Sequence, residues 1–137
     1  MTQPKDDFTA TYVNTHNKFR SIHHAGALEY DAELAAFAET WTQHCVMEHS
    51  EEKPENLCMG AKDIEDCIAL WYAEGDKYDY QKGEFKHDTG HFTQVVWKSA
   101  TKIGCAEKDC GSQGKFHSCN YDAGNLIGSF KENVLPA

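Results

Sequence analysis

The sequence predicts an α+β domain, and three observations carry that expectation. Apolar residues recur at helical spacing four times between Phe8 and Ser99. The last third of the chain breaks into short β-type segments separated by glycines. With 137 residues, 40% of them hydrophobic and 26% charged, the chain has the composition of one packed core, so a single domain over residues 1–137 is expected.

Taken in order, Phe8, Tyr12, Phe19 and Ile22 mark the first helix, with Asp6 or Asp7 as cap and an end near His23-His24, before Gly26. Its polar residues Asn17 and Arg20 are expected to tie it to a loop. Asp31 caps a second helix whose inward stripe is Leu34, Ala38, Trp41 and Cys45. After a polar loop, Leu57-Cys58-Met59 forms a candidate edge strand. Asp63 caps a third helix, with Ile64, Cys67, Ile68 and Trp71 on one face. Glu74 continues near that face and needs a partner there. From Gly75 to Thr89 the chain is irregular. Phe92, Val95, Val96 and Ser99 line the inward face of a fourth helix capped by Asp88 or Thr89. His91 falls in its first turn, where the positive end of the helix dipole favours the neutral, ligand-capable ring. Three strands follow, Lys102–Lys108, Lys115–Tyr121 and Leu126–Phe130. Gly111, Gly114 and Gly124-Asn125 supply turns short enough to make them antiparallel.

The formal charge of −9, from 13 basic and 22 acidic side chains, repels phosphate backbones and anionic lipid surfaces, so nucleic acid is excluded as a partner. Six cysteines with no CxxC pair and no zinc-finger spacing read as three disulfides in an oxidising compartment. The start, Met1-Thr2-Gln3-Pro4-Lys5, is polar and carries no apolar signal segment; an extracellular chain whose signal has been removed is expected. No apolar run is long enough to span a bilayer, so no transmembrane segment is expected.

Five ordered motifs carry a family resemblance. Gly90-His91-Phe92-Thr93-Gln94-Val95-Val96-Trp97 resembles the first signature of the CAP superfamily, which comprises cysteine-rich secretory proteins, antigen 5 and pathogenesis-related proteins. His117-Ser118-Cys119-Asn120-Tyr121-Asp122-Ala123-Gly124-Asn125 resembles the second, and His49-Ser50, Glu55-Asn56-Leu57 and Trp71-Tyr72-Ala73-Glu74 match in order. The resemblance implies a three-layer α-β-α sandwich around a small, mainly antiparallel sheet. It also implies a surface tetrad of His49, Glu55, Glu74 and His91. For the disulfides it implies Cys105 with Cys119 and Cys45 with Cys110, leaving Cys58 with Cys67. Two departures stand out: Pro54 replaces the usual glycine before Glu-Asn-Leu, and the cysteine pair that plant members carry before the first signature is missing.

The tetrad admits three chemistries. His49 and His91 can bind a divalent metal, zinc being the natural choice, with Glu55 and Glu74 orienting the rings behind them. The four can instead form a self-satisfied polar network. They can also run metal-dependent, protease-like hydrolysis with Glu55 or Glu74 as base, although two histidines are one short of the usual catalytic zinc set and no HExxH or GxSxG motif is present. The segment Tyr78-Asp79-Tyr80-Gln81-Lys82-Gly83-Glu84-Phe85 resembles the aromatic loop of yeast and fungal family members, which is associated with sterol binding. Tyr78, Tyr80 and Phe85 are thus candidates for covering a sterol or other lipid, or equally for anchoring the loop to the core. An extracellular protein-interaction module, effector- or allergen-like, is a third reading. His23, His24, His44 and His87 are expected at the surface, and His16 and His117 as hydrogen-bonded structural groups.

Overall fold

The computed structural model describes residues 7–137; Asp6, one of the two candidate caps, lies outside them. The elements run α1 Asp7–Ile22, β1 Glu29–Tyr30, α2 Ala32–Thr42, β2 Glu55–Met59, α3 Ile64–Ala73, α4 Gly90–Val95, β3 Lys102–Asp109, β4 Lys115–Tyr121 and α5 Phe130–Asn133. The strands form one sheet in the order β1-β3-β4-β2. Its β3-β4 and β4-β2 pairs are antiparallel, while the two-residue β1 pairs parallel with β3. Helix α2 packs on β3 and β4, and α1, α3 and α4 pack with one another, giving the α-β-α sandwich.

Local chemistry fixes each layer. Asp31 and Asp63 accept from the backbone N–H of Leu34 and Asp66, each at 2.9 Å, and so start α2 and α3. Gly104 lets α2 lie directly on the sheet: a Cβ there would meet the Ala35 backbone nitrogen at 2.0 Å. Cys45–Cys110, Cys58–Cys67 and Cys105–Cys119 are all bridged. They join the loop after α2 to the end of β3, β2 to α3, and β3 to β4, each contributing about 2–4 kcal/mol.

The buried face of α1 differs from its apolar pattern. Tyr12 and Val13 are buried, but so are His16 and Arg20, while Ile22 is 43% exposed. The Arg20 guanidinium donates to the carbonyls of Gly26, Val95, Trp97 and Ala100 at 2.8–3.1 Å. It thereby satisfies four acceptors that no regular element claims. Burial lowers Arg20 to about 10, so it stays charged at neutral pH. Asn17 clamps Leu28, donating to its carbonyl at 3.1 Å and accepting from its N–H at 2.7 Å.

Helix α4 ends short of its sequence pattern between Arg20 and Asn133. The Val95 carbonyl accepts from Arg20, the N–H groups of Lys98 and Ser99 donate to Asn133, and Ser99, expected inward, is exposed. In α2 the buried stripe is Leu34, Ala38 and Thr42; Trp41 is half-buried, and Cys45 lies past the helix at φ 50°. The segment expected as a strand over 126–130 is a turn leading into α5. Asn125 and Gly128 have φ of 46° and 92°, and Leu126 and Ile127 are exposed. The edge of β4 that such a strand would use is taken by β2. His23, expected at the surface, is buried: it bonds the Leu135 carbonyl at 2.8 Å and the Tyr72 hydroxyl at 2.7 Å.

Candidate metal and ligand site

Four elements bring the tetrad together in two pairs. The His49 ring, in the loop before β2, donates through Nδ1 to Glu55 Oε1 at 3.1 Å. The same carboxylate accepts from the Ser50 N–H at 2.9 Å and the Ser50 hydroxyl at 2.7 Å. Glu55 is the first residue of β2, and its side chain is 1% exposed against 54% for His49. The pair therefore has a buried carboxylate and a wet imidazole.

The second pair spans α3 and α4. Glu74 follows the last residue of α3, and its Oε2 accepts from His91 Nδ1 at 2.8 Å. Its Oε1 accepts from the backbone N–H of His91 at 2.9 Å and of Phe92 at 3.2 Å. Glu74 thus caps α4 from another helix, whereas Thr89 makes no side-chain cap bond. The inward Glu finds its partner in a helix N-terminus, 17 residues away in sequence.

Both imidazoles present their Nδ1 to a carboxylate. An ionised carboxylate only accepts, so in the neutral ring Nδ1 carries the proton and Nε2 keeps the lone pair. Asn56 holds the two halves in register, donating to the His91 carbonyl at 3.0 Å, and Asn125 donates to the Gly90 carbonyl at 2.9 Å. Trp71 stacks on the His91 ring, with centroids 6.0 Å apart and planes 17° from parallel. His49, Glu55 and His91 line one open pocket of about 140 Å³, together with Asn56, Phe85, His87, Gly90 and Asn125. Of these, His87 and Asn125 are not marked as site residues by the sequence. A histidine shortly before the first signature is the available signal for the former, and Asn125 reads as a turn residue that closes the second signature.

The aromatic loop divides. Tyr78 is buried against Phe92, centroids 5.9 Å apart, and Tyr80 packs edge-on against Tyr78 at 4.9 Å. Tyr80 also lines a separate cavity of about 130 Å³ with His23, Tyr72, Gly75, Asp76 and Phe92. Phe85 turns the other way, to the tetrad pocket.

Among the described residues, one group of three metal-competent side chains has ligand atoms within 4.8 Å of one another: Cys58, Cys67 and His117. All three are buried, and the sulfurs are bonded to each other, so no thiolate is available to a metal. His117 Nδ1 lies 3.4 Å from Cys67 Sγ, and its Nε2 lies 2.9 Å from Glu107 Oε1. Burial lowers the His117 pKa, and Glu107 opposes that shift. The geometry is that of a structural histidine.

Comparison with known proteins agrees with this architecture. The chain is 37% identical to Protein PRY2 of Saccharomyces cerevisiae over 95% of its length, covering 42% of that protein. It is also 37% identical to Secreted protein PRY1 of Candida albicans over 94%, covering 32%. It therefore spans less than half the length of either relative. A solved structure of NaASP2 with Zn2+ superposes with a TM-score of 0.77 at 22% identity, covering 99% of this chain and 90% of that one. The model of the cysteine-rich secretory protein family matches residues 13–121, spanning all four strands and the whole tetrad, and the chain belongs to that family.

Proposed function

We propose that the protein is an extracellular binding protein that takes a divalent metal, zinc by preference, at His49 and His91. The observation that carries this reading is the matched pairing: each imidazole is oriented by a carboxylate on Nδ1, which leaves a lone pair on Nε2 beside one open pocket. The donor set fits zinc, with two neutral nitrogens and room for water. A metal there would supply Lewis acidity to whatever small ligand the pocket admits. This chain's residues do the rest: Glu55 and Glu74 hold the tautomers, and Asn56 fixes the spacing. The zinc named with the NaASP2 structure supports the reading, as does the word secreted in the name of the Candida relative. Calorimetric titration with zinc tests it. We expect saturable binding by the native protein and loss of most of it in His91→Gln; equal heats from both would overturn the site.

A second function, carriage of a sterol or other lipid at the Tyr78–Phe85 loop, is favoured by Phe85, which is 40% exposed on a loop beside two cavities. Those cavities, about 140 and 130 Å³, fall below the roughly 300 Å³ of an ordinary ligand pocket, so the loop must open to admit a sterol. Tyr80→Ala removes the ring that packs on Tyr78 and is expected to weaken binding of a fluorescent sterol several-fold. Unchanged binding, or none by the native protein, would remove the loop from the account.

A further inference from the structure

We infer that His87 is a third imidazole ligand of the divalent-metal site, delivered by the same segment that carries the aromatic loop. The inference rests on the metal reading of His49 and His91 and adds to it a residue outside the tetrad.

Three observations lead there. First, His87 lines the tetrad pocket together with His49 and His91, so three imidazoles from three segments border one cavity of about 140 Å³. His49 comes from the loop before β2, His91 from α4, and His87 from the stretch between the aromatic loop and α4. Second, the His87 ring is uncommitted. Among the described residues its one ring contact is Phe85, edge-on with centroids 5.6 Å apart, and no hydrogen bond or ion pair holds either nitrogen. The other described histidines outside the tetrad differ from it in place: none of them lines this pocket. Third, the backbone on both sides of His87 is anchored. Phe85 lies over Gly90, where a Cβ would come within 2.8 Å of the Phe85 ring, and its ring also packs against Phe130 at 6.4 Å. Thr89, two residues on, is 1% exposed. A free side chain on a tethered backbone beside the pocket is what a ligand that swings in on metal binding requires.

The chemistry gives the third ring a purpose. Open zinc sites that keep a position for water use three protein ligands as a rule, and two histidines leave the set one short. An imidazole on the pocket rim completes it without disturbing the carboxylates behind His49 and His91. His87 is exposed, and metal binding would draw it in. Because His87 follows Phe85 by two residues, coordination would also pin the end of the Tyr78–Phe85 loop against the tetrad. Metal and loop would then be coupled through one residue.

The test compares zinc affinity of the native protein, His87→Gln and His91→Gln by calorimetry. Nitrogen-15 spectra of the histidine rings serve as a direct readout, recorded with zinc alone as the added ligand. His87→Gln is an exposed substitution, and its thermal unfolding without metal should match the native protein. We expect it to weaken zinc binding at least about tenfold, and the His87 Nε2 or Nδ1 resonance of the native protein to shift on zinc addition with those of His49 and His91. If His87→Gln binds zinc as tightly as the native protein while His91→Gln does not, His87 is no ligand and the two-histidine site stands. If the native protein binds no zinc, the metal reading and this inference fall together.

Discussion

Two histidine clusters meet at Asn56, and they are built in opposite ways. On one side lies His16, fully buried in α1, with Nδ1 donating to the Tyr12 carbonyl at 2.8 Å and Nε2 2.7 Å from the Tyr121 hydroxyl. Arg20 sits one turn further along with four carbonyl acceptors. On the other side lies the tetrad, where each ring nitrogen that has a partner faces a carboxylate and the rings reach solvent. Asn56 lies between them, donating to the His91 carbonyl at 3.0 Å and the Tyr121 hydroxyl at 3.4 Å. In the first cluster both imidazole nitrogens are used up internally, so the ring can only support the fold. In the second, one nitrogen per ring has no partner among the described residues. What separates a structural histidine from a ligand here is the count of satisfied nitrogens more than burial alone.

The first consequence is the larger one, and it concerns stability. Burial is the main cause that lowers His16 to about 4, well below the ordinary value of 6.5, with the nearby Arg20 charge adding to it. The native state therefore holds His16 neutral, while the unfolded chain takes up its proton near pH 6.5. Stability from this residue is complete above pH 6.5, falls as pH drops towards about 4, and is level below that. The loss across the window is on the order of 3 kcal/mol. Denaturant unfolding followed between pH 7 and 4 should show it, and His16→Gln should flatten that part of the profile. A His16→Gln protein with the native pH slope would show that the two clusters do not differ as described.

Much of this contrast is legible in the chain, and the unreadable part has physical causes. Asp31 and Asp63 sit just ahead of apolar stripes, and both cap their helices as that pattern predicts. The tetrad is readable only through five motifs taken together, since Glu55 and His91 are 36 residues apart and no spacing rule connects them. Apolar periodicity misplaces the buried face of α1 because two of its members, His16 and Arg20, are polar, and no such pattern can see a buried guanidinium that finds four carbonyls. The parallel strand β1 is two residues long and sits below any sequence signal. The false strand at 126–130 is an apolar run whose exposure follows from the turn at Asn125 and Gly128, a backbone property that the run itself conceals. His87 reads as a surface residue. It is one, and its place on the pocket rim depends on how Phe85 folds over Gly90.

The second consequence is smaller in energy and sharper in meaning. Glu74→Gln keeps the size of the side chain and an oxygen able to accept from the His91 and Phe92 N–H groups, which lie 2.9 and 3.2 Å from Glu74 Oε1. What it changes is the atom facing His91 Nδ1. An amide NH2 in place of Oε2 is a donor, so Nδ1 must accept and the ring proton moves to Nε2. That removes the lone pair with which His91 would bind metal, while α4 keeps its cap. Zinc affinity should therefore fall about 10–100-fold, with thermal stability close to native. His16 offers the control for this logic, because its nitrogens face a carbonyl and a hydroxyl, and its tautomer does not depend on a carboxylate. If Glu74→Gln bound zinc as the native protein does, the carboxylate would not be setting the tautomer. The tetrad would then be the same kind of object as the His16 cluster, a satisfied network that happens to lie at the surface.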